Sequence, residues 1–356
     1  MTSEKLLHQL MKSPEIAVEH LDLEYVDNTK LSISRFRNEK GFTYKNGKKL
    51  LKNQSHLERI SRLVIPPAWD EVKITHLPNG HLQAVGNDSK NRKQYRYHPT
   101  WTKVRNQTKF YKMSFFGKKL PVIRKKVEKD LAQSGWPKSK VIALVLQLME
   151  ETHIRIGNEQ YAKRNKSYGL STMRKKHVDI HRNNMKFEFI GKKGKEHSVT
   201  VRNKKLIHLV SRCEEIPGWE LFKYFDEDGQ KQTLNSTDVN EYLHANSGEF
   251  FTAKDFRTWA ASVVFFDTLL DIGTTEDPKE NHGNILKGFD AAAKALGNTR
   301  NVCRKYYVHP LLVSSYEDGS LDTFFKMTEE ACDGSEHFSA SEAAMLELFG
   351  KYNPLF

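Results

Sequence analysis

DSKNRKQYRYHPTW, residues 88–101, is where the chain changes its structural period. Upstream, residues 23–97 alternate apolar and polar positions in short runs broken by turn signals, as half-buried strands do. Downstream, from about residue 100, apolar side chains recur at spacings of three and four across 103–113, 120–131 and 138–151, the period of amphipathic helices. The stretch itself interleaves basic and aromatic residues, so a strand here puts Arg92 on one face and Lys93, Tyr95 and Tyr97 on the other. A plain amphipathic strand is the other reading, although apolar burial would not favour so many charges. The expected fold is α+β: a small antiparallel β-sheet domain over residues 1–99, then a larger, mainly α-helical domain over 100–356 that carries a small β-hairpin or sheet.

In the first domain, Asn46-Gly47 and Pro78-Asn79-Gly80 read as tight turns in which glycine supplies a positive φ. One helix over about 54–63 interrupts the sheet, and a short amphipathic segment precedes it. In the second domain, residues 176–201 return to strand patterning (HVDIH, MKFEFI, EHSVTV), with a lysine-rich turn at 191–195. Another sheet-like piece spans 221–232. The remainder reads as helices. That over 252–270 opens with Thr252-Ala-Lys-Asp255, a capping box, and shows an apolar stripe of Phe256, Trp259, Ala260, Val263 and Phe266.

Composition narrows the function. In 356 residues, 38% hydrophobic, Lys and Arg outnumber Asp and Glu 57 to 44, for a net charge of +13. A polyanion is the expected partner, nucleic acid ahead of an anionic membrane. No run of about 20 apolar residues and no signal-peptide segment is present, which predicts a soluble, cytoplasmic protein, nucleoid-associated if bacterial. Cys213, Cys303 and Cys332 are far apart and odd in number, so they read as reduced packing residues. No phosphate loop occurs, the nearest string at 41–48 having the wrong spacing, and no H-E-x-x-H is found. Asp226-Glu-Asp228-Gly lacks the ligands of a calcium loop. The 15 histidines are scattered, each read as a surface or hydrogen-bonded group. No cofactor, metal or nucleotide is expected.

Breaking a DNA strand reversibly without external energy requires a side-chain nucleophile that conserves the phosphoester bond. A tyrosine serves, since its phenol, of pKa near 10, is also an adequate leaving group. Charge on the non-bridging oxygens calls for arginines, and a poor 5′-oxygen leaving group calls for a general acid such as a lysine of lowered pKa. Five stretches supply such groups in order: the strand at 88–101, HIRIGNEQY (153–161), FIGKKGKEH (189–197), KDFRTW (254–259) and NTRNVCRKYYVHP (298–310). Each has an ordinary reading too. Arg155 could neutralise Glu150 or Glu151, Arg257 could pair with Asp255, the lysines could form a solvated turn, and a Tyr306-Tyr307 pair could simply pack.

Taken together these stretches resemble the type IB DNA topoisomerases, particularly the compact poxvirus-like and bacterial members, over most of the chain. The resemblance implies Tyr307 as nucleophile, because Asn298 lies nine positions before it. It implies Arg155 (I-R-x-G) and Arg257 (K-D-x-R-T) on the phosphate, Lys192 (F-x-G-K) as general acid, and Asn298 as a donor to a non-bridging oxygen. Lys193 and Lys195 lie close enough to compete for the acid role. Arg92, Lys93, Tyr95, Tyr97, Tyr161 and Lys254 are implied as DNA contacts. Two departures stand out. Asn298 replaces the His usual in poxviral and eukaryotic members, which keeps a donor but cannot titrate. Asn91 stands where Gly is commoner, a turn position Asn tolerates.

The implied protein is a monomeric clamp on duplex DNA that cuts one strand through a 3′-phosphotyrosyl link, allows rotation and reseals, without ATP or metal. Lys118, Lys119, Arg124, Lys163, Arg164, Lys166, Arg174 and Lys175 are further candidates for backbone contacts. A tyrosine recombinase, which uses a similar catalytic set, and a non-catalytic DNA-binding protein are the alternatives.

Overall fold

The computed structural model describes residues 18–39, 41–248, 251–331 and 334–354. The expected N-terminal amphipathic segment and Cys332 lie outside them. The chain is α+β, with 12 α-helices among the described residues and sheets of six, three and two strands. It divides between Lys109 and Phe110 into two compact units, Pro354 grouping with the first.

The first unit is a six-stranded antiparallel sheet of β1 (Ile33–Asn38), β2 (Gly41–Asn46), β3 (Lys49–Leu50), β4 (Asp70–Ile74), β5 (Leu82–Asn87) and β6 (Lys93–Tyr97) in the order β3-β2-β1-β4-β5-β6. Ile33 pairs with Ile74 across β1 and β4, and both join Val72 and Ala84 in a core closed by Ile60 of α1 (Gln54–Arg62). Asn53 caps α1 by accepting the His56 N–H at 3.1 Å. Gly47 has the expected positive φ of 58°. Gly80 does not: it is required for space, since a methyl group there would lie 2.6 Å from Val26 Cγ2.

The second unit is built around two buried helices, α3 (Lys138–Thr152) and α7 (Ala253–Ile272). Before them, α2 runs unbroken as Pro99–Leu131, where the sequence suggested two helices over 103–113 and 120–131, and it continues through Pro121. Met113, Phe116, Leu120, Ile123 and Val127 are all buried, so apolar burial on both sides of the proline offsets the lost hydrogen bond. Gly117, one turn earlier, lies against Trp259, where a methyl would come within 2.5 Å of Cη2. In α7 the apolar face is broader than the expected stripe: Phe265 and Leu269 are fully buried, whereas Ala260 and Val263 are only partly so.

A three-stranded sheet, β7 (Val178–Ile180), β8 (Met185–Ile190) and β9 (Glu196–Val201), follows α4 (Glu159–Asn165) and is antiparallel, as the sequence indicated. Next come α5 (Lys204–Glu214), the ribbon β10 (Lys223–Phe225) and β11 (Lys231–Thr233), and α6 (Ser236–Ser247). After α7 come α8 (Pro278–Leu296), α9 (Arg300–Tyr306), α10 (Pro310–Glu317), α11 (Leu321–Glu330) and α12 (Ala340–Gly350). No described helix is long and apolar enough to cross a membrane.

Arg124, expected among the DNA contacts, is instead a tie within the second unit. It meets Glu342 through Nη1 at 2.7 Å and Nη2 at 2.8 Å, and its Nε donates to Glu150 at 3.0 Å. Glu342 also accepts the Trp259 indole N–H at 2.8 Å and the Ser339 amide at 3.0 Å, so one buried carboxylate joins α2, α7 and α12. Removing one partner of such a network strands the other in a water-poor site. Glu342→Ala should therefore lower unfolding free energy by roughly 3–5 kcal/mol in a denaturant titration. A loss below about 1 kcal/mol would mean that solvent already screens the pair.

Candidate active site

Arg155 is placed by backbone alone. At the end of α3, His153 turns into the left-handed region (φ 53°), where its N–H still reaches Met149 O. The Arg155 carbonyl then accepts the Leu170 N–H at 2.9 Å and the Ile156 carbonyl that of Ser171 at 2.7 Å. Gly157 and Gly169 allow this crossing, since a methyl on Gly169 would lie 2.6 Å from Gly157 N. The Arg155 side chain, relieved of that task, is half-buried and donates from Nη2 to Asn298 Oδ1 at 2.8 Å. Glu150, the partner of the ordinary reading, is held by Arg124.

Arg257 sits in the second turn of α7 and is 4% exposed. The alternative partner Asp255 is engaged with Lys112 at 2.9 Å and with the Thr252 amide of its own cap at 2.8 Å. Arg257 donates to backbone carbonyls instead, His153 through Nη1 and Leu296 through Nη2 at 2.9 Å, while its buried Nε has no partner among the described residues. Burial, then repulsion from Arg155, pull its pKa down to about 10, with Tyr307 acting in the opposite sense. It stays charged at neutral pH. Among the described residues no carboxylate pairs with Arg155 or Arg257, so the desolvated positive charge has no internal anion to offset it.

Asn298 and Tyr307 come from the turn after α8 and the end of α9. Gly297 caps α8 in the left-handed region (φ 61°), and the Asn298 N–H reaches Ala293 O at 2.9 Å. Its buried Nδ2 has no oxygen acceptor among the described residues, and the side chain bears on the Cys303 thiol. Tyr307 ends α9 with its N–H on Cys303 O at 2.9 Å, and the Arg257 guanidinium carbon stands 5.6 Å from its ring centroid. Burial raises the phenol pKa, but the charges and hydrogen bonds of Arg257 and Arg155 outweigh it, and the net result lies below the ordinary value of 10. Tyr306, by contrast, is 40% exposed, with Lys305 over its ring.

Lys192 stands in the tight turn between β8 and β9, closed by Gly191 N–H to Lys195 O at 2.7 Å. Although exposed by area, its ammonium is held below the usual lysine pKa, first by lost hydration and then, against the pull of Tyr307, by Arg155, Lys254 and Lys193. The structure thus brings Arg155, Arg257, Asn298, Tyr307 and Lys192 to one place, with exposed Lys254 nearby. Lys195 points elsewhere, donating to Gly297 O at 3.1 Å. A cavity of about 220 Å³ lies against the group, lined by Arg155, Lys192, Lys195, His197 and Arg257 among others.

Tyr161, on α4, is 52% exposed and forms no side-chain hydrogen bond or ring contact among the described residues. In the first unit, Asn91 adopts the left-handed turn expected of it (φ 53°). Tyr95 and Tyr97 stack 5.9 Å apart, and Lys93 lies over the Tyr95 ring. Arg92 folds back on Asp88, Nε to Oδ2 at 2.8 Å, and is the main reason that this carboxyl is held down at about 2.

Sequence reasoning missed two histidines at the site. His153 supplies a carbonyl to Arg257, and His197 lines the cavity, its pKa depressed by burial and then by Arg155, Lys195 and Arg257. Neither belongs to a ligand-spaced pair, so no sequence signal separated them from the other histidines.

Comparison with known proteins gives the family. The family model described as eukaryotic DNA topoisomerase I, catalytic core, matches residues 91–329, and that of the bacterial DNA topoisomerase IB N-terminal domain matches 41–88. A DNA topoisomerase 1B of Acanthamoeba polyphaga mimivirus is 37% identical over 269 residues, covering 74% of this chain and 80% of its own. DNA topoisomerase 1B of Vaccinia virus (strain Copenhagen) is 24% identical over 78% of this chain and 84% of its own. DNA topoisomerase 1 of Rabbit fibroma virus is 24% identical over 81% and 96%. The chain belongs to the type IB DNA topoisomerases, isomerases whose substrate is DNA.

Proposed function

We propose that the enzyme relaxes supercoiled duplex DNA by cutting one strand with Tyr307, letting the free end rotate, and resealing it. The observation that carries this reading is the phenol of Tyr307 held among two guanidinium groups that no carboxylate neutralises. A phosphodiester supplies the missing anion. Its non-bridging oxygens take the free donors of Arg155 and Arg257, including the unpartnered Arg257 Nε, together with the Asn298 amide.

In the forward step the Tyr307 phenol has lost its proton to solvent water, and the phenolate oxygen bonds to phosphorus. The bond from phosphorus to the 5′-oxygen breaks, and Lys192 donates its proton to that oxygen. The 3′-phosphate stays on Tyr307 and the other strand end leaves as a free 5′-hydroxyl. Religation is the same exchange reversed, with the hydroxyl proton returning to Lys192. Because one phosphoester replaces another, the cycle needs no ATP, and the cations of the site take the charge a metal would otherwise carry.

Lys193 has the weaker claim to the acid role because it enters only as a minor influence on Lys192, and Lys195 because it is committed to Gly297 O. Lys93, Tyr95, Tyr97, Tyr161 and Lys254 supply the DNA contacts, with Arg92 contributing the N–H groups that Asp88 leaves free. The enzyme acts as a monomer in the cytoplasm, on the nucleoid if bacterial.

Plasmid relaxation in chelator without nucleotide should proceed for the parent and fall at least about 10⁴-fold for Tyr307→Phe, no other group replacing the nucleophile. Activity retained by that variant contradicts the assignment. Arg257→Ala should slow single-turnover cleavage by roughly 10²–10³-fold with DNA affinity largely kept. A defect in affinity alone would make Arg257 a mere anchor.

The two lowered pKa values also set a pH dependence. Cleavage should rise with pH as Tyr307 ionises below the ordinary phenol range. It should fall again as Lys192 loses its proton below the ordinary lysine range. Rates measured across pH for the parent should trace a bell, and Lys192→Ala should lose the alkaline limb. An alkaline limb that survives the substitution assigns the proton donor elsewhere.

A further inference from the structure

His197 lines the cavity beside Arg155, Lys192 and Arg257, the proposed chemistry assigns its ring no task, and its surroundings are close. It stacks on Phe189 with ring centroids 5.0 Å apart and planes 8° from parallel. On one edge, a methyl group on Gly191 would lie 2.6 Å from its Cδ2. On another, a methyl on Gly297 would lie 2.7 Å from its Cε1. The ring therefore fills the space between two glycines, one immediately before Lys192 and the other immediately before Asn298. Beside it, Lys195 of the same turn donates to Gly297 O at 3.1 Å.

We propose that His197 is a positioning residue, a flat wedge that seats the β8–β9 turn against the end of α8 and so fixes Lys192 over the reacting phosphate. This rests on the reading of Lys192 as the proton donor. The turn needs such a fixture, because Lys192 lies in a surface turn whose other lysine neighbours are exposed. A lysine free to sample several rotamers would spend most of its time away from one particular oxygen. The wedge works as a neutral ring: burial and the nearby cations Arg155, Lys195 and Arg257 all disfavour its protonated form. Its shape, and not its acid–base chemistry, is what the site uses.

The test separates positioning of the donor from general damage. A duplex whose scissile 5′-oxygen is replaced by sulfur has a leaving group that needs no proton, so a defect confined to proton donation disappears on it. Single-turnover cleavage of the oxygen and sulfur duplexes is compared for the parent, Lys192→Ala, His197→Ala and His197→Phe, with thermal unfolding of each. His197→Ala should be about 10–100-fold slow on oxygen and within about threefold of the parent on sulfur, and His197→Phe, which keeps a flat ring, should recover most of the oxygen rate. Equal slowing of His197→Ala on both duplexes overturns the proposal, as does a parental rate on oxygen. If His197→Ala fails to fold, His197→Phe decides alone: an oxygen-specific defect in that variant would show that imidazole chemistry is used, and the wedge is wrong. If Lys192→Ala stays slow on sulfur, the donor assignment itself fails, a result distinct from loss of the His197 effect with Lys192→Ala rescued.

Discussion

Two guanidinium groups brought against one phenol, with no acid to balance them, are the constraint around which the second unit is organised. Isolated charge in a poorly hydrated site is costly, and proteins ordinarily neutralise it with a carboxylate. Here the nearby acids are committed to other cations, Glu150 to Arg124 and Asp255 to Lys112. Arg257 is left with two backbone carbonyls, the Tyr307 phenol, an unpartnered Nε and a depressed pKa. The same field that depresses Arg257 favours ionised Tyr307, so the site is set for a phosphate and a phenolate.

Maintaining that arrangement requires that nothing collapse into it, and the backbone provides the rigidity. The loop carrying Arg155 is crossed by Leu170 and Ser171 at spacings that Gly157 and Gly169 make possible. Asn298 follows a left-handed cap whose glycine faces His197, and Tyr307 is fixed at the last turn of a short helix. These elements converge largely through main-chain contacts, and the Arg257 Nε and Asn298 Nδ2 groups are left over for the substrate.

Much of this was legible in the sequence, for reasons that can be stated by residue. The period change at 88–101, the strand alternation over 176–201 and the Thr252–Asp255 cap are local patterns, and local patterns survive folding. Motif order gave the catalytic candidates, and the structure brings Arg155, Lys192, Arg257, Asn298 and Tyr307 together. What escaped is non-local. The gap read between residues 113 and 120 is helix, because Phe116 and its neighbours are buried along one continuous face. Gly80 serves clearance instead of a positive φ. Arg124 looked like another surface cation until Glu342, far along the chain, was seen to hold it. His197 carried no signal at all, its contacts being steric and its partners glycines.

The direct test of the central claim is to trap the covalent complex on a nicked duplex, digest it, and locate the nucleotide by mass spectrometry. The account predicts the nucleotide on the 5′ side of the break joined through its 3′-phosphate to Tyr307, with a free 5′-hydroxyl on the released strand. A nucleotide on Tyr306, a 5′-phosphoryl linkage, or no adduct under conditions where the plasmid is relaxed would contradict it.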